Sequence, residues 1–231
     1  MKIIGKGLLA RRFESLHLDS QYVIFASGVS NSAEDNKLAF KRELELLLEA
    51  SRSGPLVYFG SCSVELQESN WTPYIRHKFE MERLVVDKKL GIVVRLPNVI
   101  GNGGNPKTMF NYFCRCILTG SEIIVKTNAT RSLIDLDDVA ILVGDVLTQR
   151  ELRQNWCERV YRFVLPQQYL VTDIVAEIER CLQIKAIVKI SGEDFLNLKS
   201  SSYVNDAISR GVIHCNDDYL VRLVSKYIDS V

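Results

Sequence analysis

A chain of 231 residues, 47% apolar and 25% charged, can bury a substantial core, as one large domain or a core with a small lobe. A formal net charge of +1 with no basic block gives no reason to expect nucleic acid or an anionic membrane as partner, and no apolar run reaches the ~18 residues that span a bilayer. Six cysteines (Cys62, Cys114, Cys116, Cys157, Cys181 and Cys215) lack zinc-type spacing, and three histidines (His17, His77 and His214) are too sparse for a histidine-rich centre. No metal is therefore expected, and the thiols read as reduced, in the cytoplasm.

The opening "MKIIGKGLLARRF" carries two glycines and charges inside its apolar stretch, and reads as a strand and turn, not a secretory signal. "KIIG" (2–5) leads into the helical "LLARRFESL". "YVIFAS" (22–27) precedes a polar loop and a strongly periodic helix from about 36 to 51, assigned to packing. "LVYFGS" (56–61) precedes another polar loop and "TPYIRHKFEMERLV" (72–85). There Thr72 can cap, Pro73 suits the first helical position, and Ile75, Phe79, Leu84 and Val85 give an apolar stripe. "GIVVRLPN" (91–98) is the next strand. Buried strands separated by helices of 10–16 residues predict a parallel sheet with helical layers, whose ligands collect beyond the carboxyl ends of the strands. Small and polar residues gather at all four such ends: 5–7, 26–28, 61–63 and 97–98.

Further on, a "GNGGNP" loop is followed by a helix near 107–119, a strand near 122–126 and "RSLIDLDDVAILVGDVL". Then come a strand "VYRFVL", a helix near 171–183, a strand at 186–190 and a last helix near 217–228. No repeat or low-complexity linker interrupts the chain. Asp137 and Asp138 read as charges at a helix N-terminus in preference to paired catalytic carboxylates.

Two local patterns bear on chemistry. Gly5, Gly7 and Ala10 form a GxGxxA turn opening a helix, which suits a pyrophosphate through close backbone approach and free N–H groups; a plain strand–helix turn is the alternative. Tyr74 and Lys78 stand one helical turn apart and share a face. A solvated lysine beside a half-buried tyrosine is the alternative there.

Taken together, Ser61 at a strand end and Tyr-x-x-x-Lys thirteen residues on resemble the catalytic set of the short-chain dehydrogenase/reductase superfamily. The resemblance is closest to its extended branch, the nucleotide-sugar epimerases, dehydratases and reductases. "LVYFGSCSVE" is similar to that family's catalytic Ser/Thr strand and "YIRHKFEMERLV" to its tyrosine helix. "GIVVRLPNVIGNGGNP" is similar to its Arg-x-x-Asn-x-x-Gly segment, and "TRSLIDLDDVA" to its Arg-(x)n-Asp-Asp-Val-Ala segment. The match runs from about Tyr22 to Tyr169.

The resemblance implies an α/β fold: a Rossmann-like parallel sheet with helices on both faces, residues 1–95 and 132–168, plus a small substrate-binding lobe, residues 96–131 and 169–231. It implies NAD or NADP as cofactor, held by Gly5, Gly7, Ala10, Ala26, Ser27, Lys78 and Pro97. It implies a nucleotide-diphosphate sugar as substrate, contacted by Ser63, Asn98 and Arg131, in surface polysaccharide biosynthesis. Ser61 would hydrogen-bond the reacting oxygen, Tyr74 would exchange the sugar hydroxyl proton, and Lys78 would hold the cofactor ribose and stabilise the phenolate. Cys62 and Ser63 follow Ser61 where dehydratases commonly carry an acid pair, which leaves an epimerase or a keto-sugar reductase.

The pattern is broken in one place. "LLARRFESLHLDSQ" runs almost directly into "YVIFASG", which resembles the family's fourth strand, so about forty residues of the βαβ fingerprint are missing. No ribose-reading acid can be assigned, and Arg11 and Arg12 read equally as phosphate contacts or a solvated helix face. An asparagine that the family often places early in the 36–51 helix aligns near Phe40. The sheet edge is therefore expected at or next to "KIIG", abbreviated on the adenosine side, where an exposed strand favours a homodimer or a covering loop. The alternative function is a non-catalytic nucleotide- or sugar-nucleotide-binding or regulatory protein that kept the fold and lost full cofactor binding.

Overall fold

A computed structural model describes residues 1–16, 21–152, 158–193 and 198–230, so His17 and Cys157 lie outside the described residues. The first part of the chain runs β1 (Lys2–Ile4), α1 (Leu8–Glu14), β2 (Val23–Phe25), α2 (Lys37–Ala50), β3 (Leu56–Ser61), α3 (Pro73–Asp87) and β4 (Gly91–Leu96). Then follow β5 (Asn98–Ile100), α4 (Met109–Thr119), β6 (Glu122–Thr127), β7 (Thr130–Arg131), β8 (Leu133–Asp135), α5 (Leu136–Leu152) and β9 (Val160–Arg162). The last part comprises β10 (Tyr169–Leu170), α6 (Val171–Leu182), β11 (Ile187–Glu193), α7 (Ser202–Ser209) and α8 (Tyr219–Tyr227).

The central layer is a parallel sheet of order β1-β2-β3-β4-β9, with Ile3, Ile24, Val57 and Ile92 aligned in one row across it. Every residue of β3 is buried, as expected of a strand covered on both faces, and this is why it reads as an unbroken apolar run. Alternation divides the side chains between two layers. Val23, Phe25, Leu56, Tyr58 and Val93 pack on Leu47 and Ala50 of α2 and Met81 and Val85 of α3. On the other face Ile24, Val57, Phe59, Ile92 and Val94 pack with Phe13 of α1 and Val139, Val143 and Val146 of α5. Each such fully buried aliphatic side chain contributes about 1.5–3 kcal/mol, so the α/β/α sandwich fixes the strand ends rigidly.

The α1/α5 face of this core continues into the second region through Phe113 and Ile117 of α4, Ile174 and Ile178 of α6, and Leu223 and Val224 of α8. Three two-stranded ribbons lie there: β5 with β8, parallel; β7 with β10, antiparallel; and β6 with β11, parallel. The longer helices and most strands fall within about two residues of expectation, whereas β11 runs three residues further and β9 stops three residues earlier. Helix α7 and the short strands β5, β7, β8 and β10 were not anticipated, and β8 pairs with β5 instead of joining the main sheet. Among the described residues β1 is the sheet edge, as the missing fingerprint segment requires. No helix among them is long and apolar enough to cross a membrane.

Candidate active site

A cavity of about 910 Å³ lies along the carboxyl ends of β1 to β4. Gly7, Ala26, Ser61, Ser63, Tyr74, Lys78, Pro97, Asn98 and Arg131 all line it, so most of the expected site residues meet on one wall system. Gly5, Ala10 and Ser27 do not. Gly5 (φ +135°) backs onto β2: a Cβ there would stand 2.4 Å from the Ala26 carbonyl oxygen. Ala10 is wholly buried beneath the turn, and the Ser27 carbonyl accepts from Arg42 of α2. Gly7, by contrast, has open space where a Cβ would stand, which leaves its backbone approachable.

Ser61 ends β3 and caps the turn that follows. Its Oγ accepts the Ser63 N–H at 3.2 Å and donates to Ser63 Oγ at 3.1 Å. That turn is clamped from behind, because Glu65 accepts from Arg162 of β9 (2.8 Å) and Arg95 of β4 (3.2 Å). Arg95 also holds Glu82 of α3, at 2.9 Å. The Cys62 thiol inside the turn is pushed up to about 12, chiefly by burial, so it stays protonated and is no nucleophile.

Thr72 caps α3 by accepting the Ile75 N–H, with Pro73 at the helix start, as the sequence implied. This sets Tyr74 in the first turn, packed with Val64 and Ile75, its hydroxyl without a hydrogen-bond partner among the described residues. One turn on, the Lys78 ammonium is buried. It donates to Glu43 Oε1 (3.1 Å), the Tyr58 hydroxyl (3.3 Å) and the Phe59 carbonyl (3.5 Å).

Glu43 is the residue that sequence reading missed. It is wholly buried, although it belongs to a helix assigned to packing alone. Its Oε2 accepts from the Val29 N–H (2.6 Å) and from His77 Nε2 (3.0 Å), and its Oε1 accepts from the Tyr58 hydroxyl (2.9 Å). Burial alone would raise this carboxyl. The Lys78 charge and the hydrogen bonds from His77 and Val29 overcome that and hold it at about 2. Burial and the same carboxylate drive the Tyr58 hydroxyl well above its ordinary range. Phe40 stacks on His77, ring centroids 4.4 Å apart. One sequence signal existed: Glu43, Leu47 and Ala50 share the helix period, so a glutamate stands on the buried stripe of α2.

The remaining expected residues divide. Asn98 lines the cavity, yet its side-chain amide donates to the Ser132 carbonyl at 3.1 Å. Arg131 Nη1 donates to the Thr130 carbonyl at 2.7 Å. Arg11 lines the cavity, whereas Arg12 pairs with Asp137. Asp137 and Asp138 lie off the cavity, where they accept from Lys226 and Tyr219 of α8, both at 2.6 Å.

The model of the NAD dependent epimerase/dehydratase family matches residues 6–155. The chain belongs to that family. No curated protein sequence matches this epimerase/dehydratase-family chain. Among solved structures, a UDP-glucose 4-epimerase from Stenotrophomonas maltophila, with bound NAD and formylated UDP-arabinopyranose, is 16% identical. The likeness covers 90% of this chain and 76% of that one, with a TM-score of 0.68. WbmH from Bordetella bronchiseptica, in complex with NAD+, is 14% identical over 91% and 74% of the two chains, with a TM-score of 0.69. RMD from Pseudomonas aeruginosa, complexed with NADPH, is 17% identical over 91% and 82%, at 0.65. At these identities the likeness carries the fold, which in this epimerase/dehydratase-family chain lacks strands outside β1 among the described residues.

Proposed function

We propose that the protein is an NAD(P)-dependent epimerase or keto-sugar reductase acting on a nucleotide-activated sugar, in the cytoplasm and in surface polysaccharide biosynthesis. One observation carries this reading: Ser61, Tyr74 and Lys78 line the same cavity as Gly7 and Arg131. Tyr74 takes the proton of the reacting sugar hydroxyl and returns it, its own hydroxyl being uncommitted. Ser61 hydrogen-bonds the same oxygen by turning its Oγ–H away from Ser63. Arg131 binds the substrate diphosphate, and Asn98 and Ser63 orient the sugar.

The residues present fit a dinucleotide on its nicotinamide side. Gly7 offers bare backbone beside the start of α1, Ala26 and Pro97 form apolar wall, and Lys78 lies beneath; Gly5 and Ala10 shape the turn from behind the cavity wall. When bound, NAD or NADP supplies the hydride chemistry. On the adenosine side β1 is the sheet edge, so adenine would lie in solvent or against a second copy of the chain.

The test is a titration of NAD(H) and NADP(H), followed by assays with nucleotide-diphosphate sugars. Binding should be weak, about 10²-fold or more below a fold with a full adenosine pocket, with little preference between the two cofactors. Strong selectivity by the monomer would show that another segment rebuilds that pocket. The edge position of β1 favours one second reading, a non-catalytic sugar-nucleotide-binding protein. Binding of the sugar nucleotide without any dinucleotide would select it.

A further inference from the structure

An ammonium group has three N–H donors, and around Lys78 three acceptors of this chain stand within 3.5 Å: Glu43 Oε1, the Tyr58 hydroxyl and the Phe59 carbonyl. The carboxylate that anchors it is itself fixed by Val29, Tyr58 and His77, which come from the loop after β2, from β3 and from α3. Gly28 closes the arrangement. A Cβ at that position would stand 2.7 Å from Lys78 Nζ and 3.0 Å from Glu43 Oε1, so the pair occupies the space that a side chain would take. Opposite charges 3.1 Å apart in a water-excluded place cancel much of each other's field at a third group.

We infer that Glu43 is a positioning residue that pins and neutralises Lys78, so that Tyr74 works beside a charge-neutral pair and not beside a free cation. The inference rests on the reading of Tyr74 as the acid/base group. Among the described residues, the other ionisable groups around the pair are Tyr58 from β3 and His77 and Glu82 from α3. Glu82 is matched by Arg95 of β4. A lysine whose donors are spent internally also has to release one, most readily the 3.5 Å contact to Phe59, before it can donate to a ligand.

The experiment is an ultraviolet titration of phenolate absorbance, taken as the difference between each protein and its Tyr74→Phe counterpart, alongside the pH–rate profile. In Glu43→Gln the Tyr74 phenolate should grow in, and the rate should rise, about one pH unit lower than in the parent, because Lys78 is then uncompensated. Glu43→Asp should move both back toward the parent. In Glu43→Gln/Lys78→Gln the titration should stay within a few tenths of a unit of the parent, since one neutral pair replaces another. If Glu43→Gln fails to fold, the double variant carries the test, because it leaves no buried unpaired ion. An unmoved titration in Glu43→Gln overturns the inference, as does a double variant titrating a unit or more above the parent. A shifted phenolate titration in a protein without turnover would instead remove the enzymatic reading and leave the role of Glu43 standing.

Discussion

Glu43 and Lys78, 35 residues apart in the chain, form a 3.1 Å ion pair whose side chains are 0% and 4% exposed. Few ion pairs among the described residues are so well shielded; Lys41–Glu45 and Arg83–Asp87, for instance, lie in solvent. Shielding makes the pair costly to break, because removing one partner leaves the other buried and uncompensated.

The first prediction concerns acid. The Glu43 carboxyl is held at about 2, below its ordinary 4.5, so the stabilisation it gives is complete above about pH 4.5 and is lost as the pH falls toward 2. Glu43→Gln should cost about 3 kcal/mol at pH 7 and should flatten the fall in stability between pH 5 and 2. Urea unfolding of both proteins at pH 7 and pH 3 measures this. The same fall in both would exclude Glu43 as its origin.

Tyr74→Phe removes a hydroxyl that bonds nothing among the described residues, so stability should change by less than about 1 kcal/mol. Turnover should drop by about 10²-fold or more while ligand binding is retained. Full activity in a folded Tyr74→Phe protein would end the acid/base assignment.

Arg131→Ala should weaken a nucleotide-diphosphate sugar far more than the corresponding free sugar. A charge-assisted contact contributes ~1.5–3 kcal/mol, roughly ten- to a hundredfold in affinity. Calorimetry with both ligands decides it, and equal losses would make Arg131 a purely structural residue.

The two glycines of the first turn should behave oppositely. Gly5→Ala forces a Cβ to within 2.4 Å of the Ala26 carbonyl at a positive φ, and should destabilise by about 1–3 kcal/mol or more. Gly7→Ala meets no atom within 4 Å and should unfold at nearly the parent temperature, yet bind dinucleotide more weakly. Thermal melts with and without NADH separate the two effects.

The sequence by itself determined what is local. Apolar runs marked the buried strands, helical periodicity marked α2, α3, α4 and α6, and Thr72-Pro73 marked the start of α3. The order of Ser61, Tyr74 and Lys78 identified the resemblance, because these residues are spaced by the fold that carries them. The missing fingerprint segment announced an edge at or next to β1, and among the described residues it is β1 itself. Only the tertiary structure decided the rest. Helix α7 and strands as short as β7 and β10 are held by their neighbours and have too few residues to declare a period. Ser27 falls off the cavity wall although Ala26 and Gly28 on either side line it, and its carbonyl accepts from Arg42. The helix period puts Glu43 on the buried stripe of α2, but its partners appear only when α2 is laid against β3 and α3. Its partners come from three segments distant in the chain, and a buried charge is defined by what closes over it.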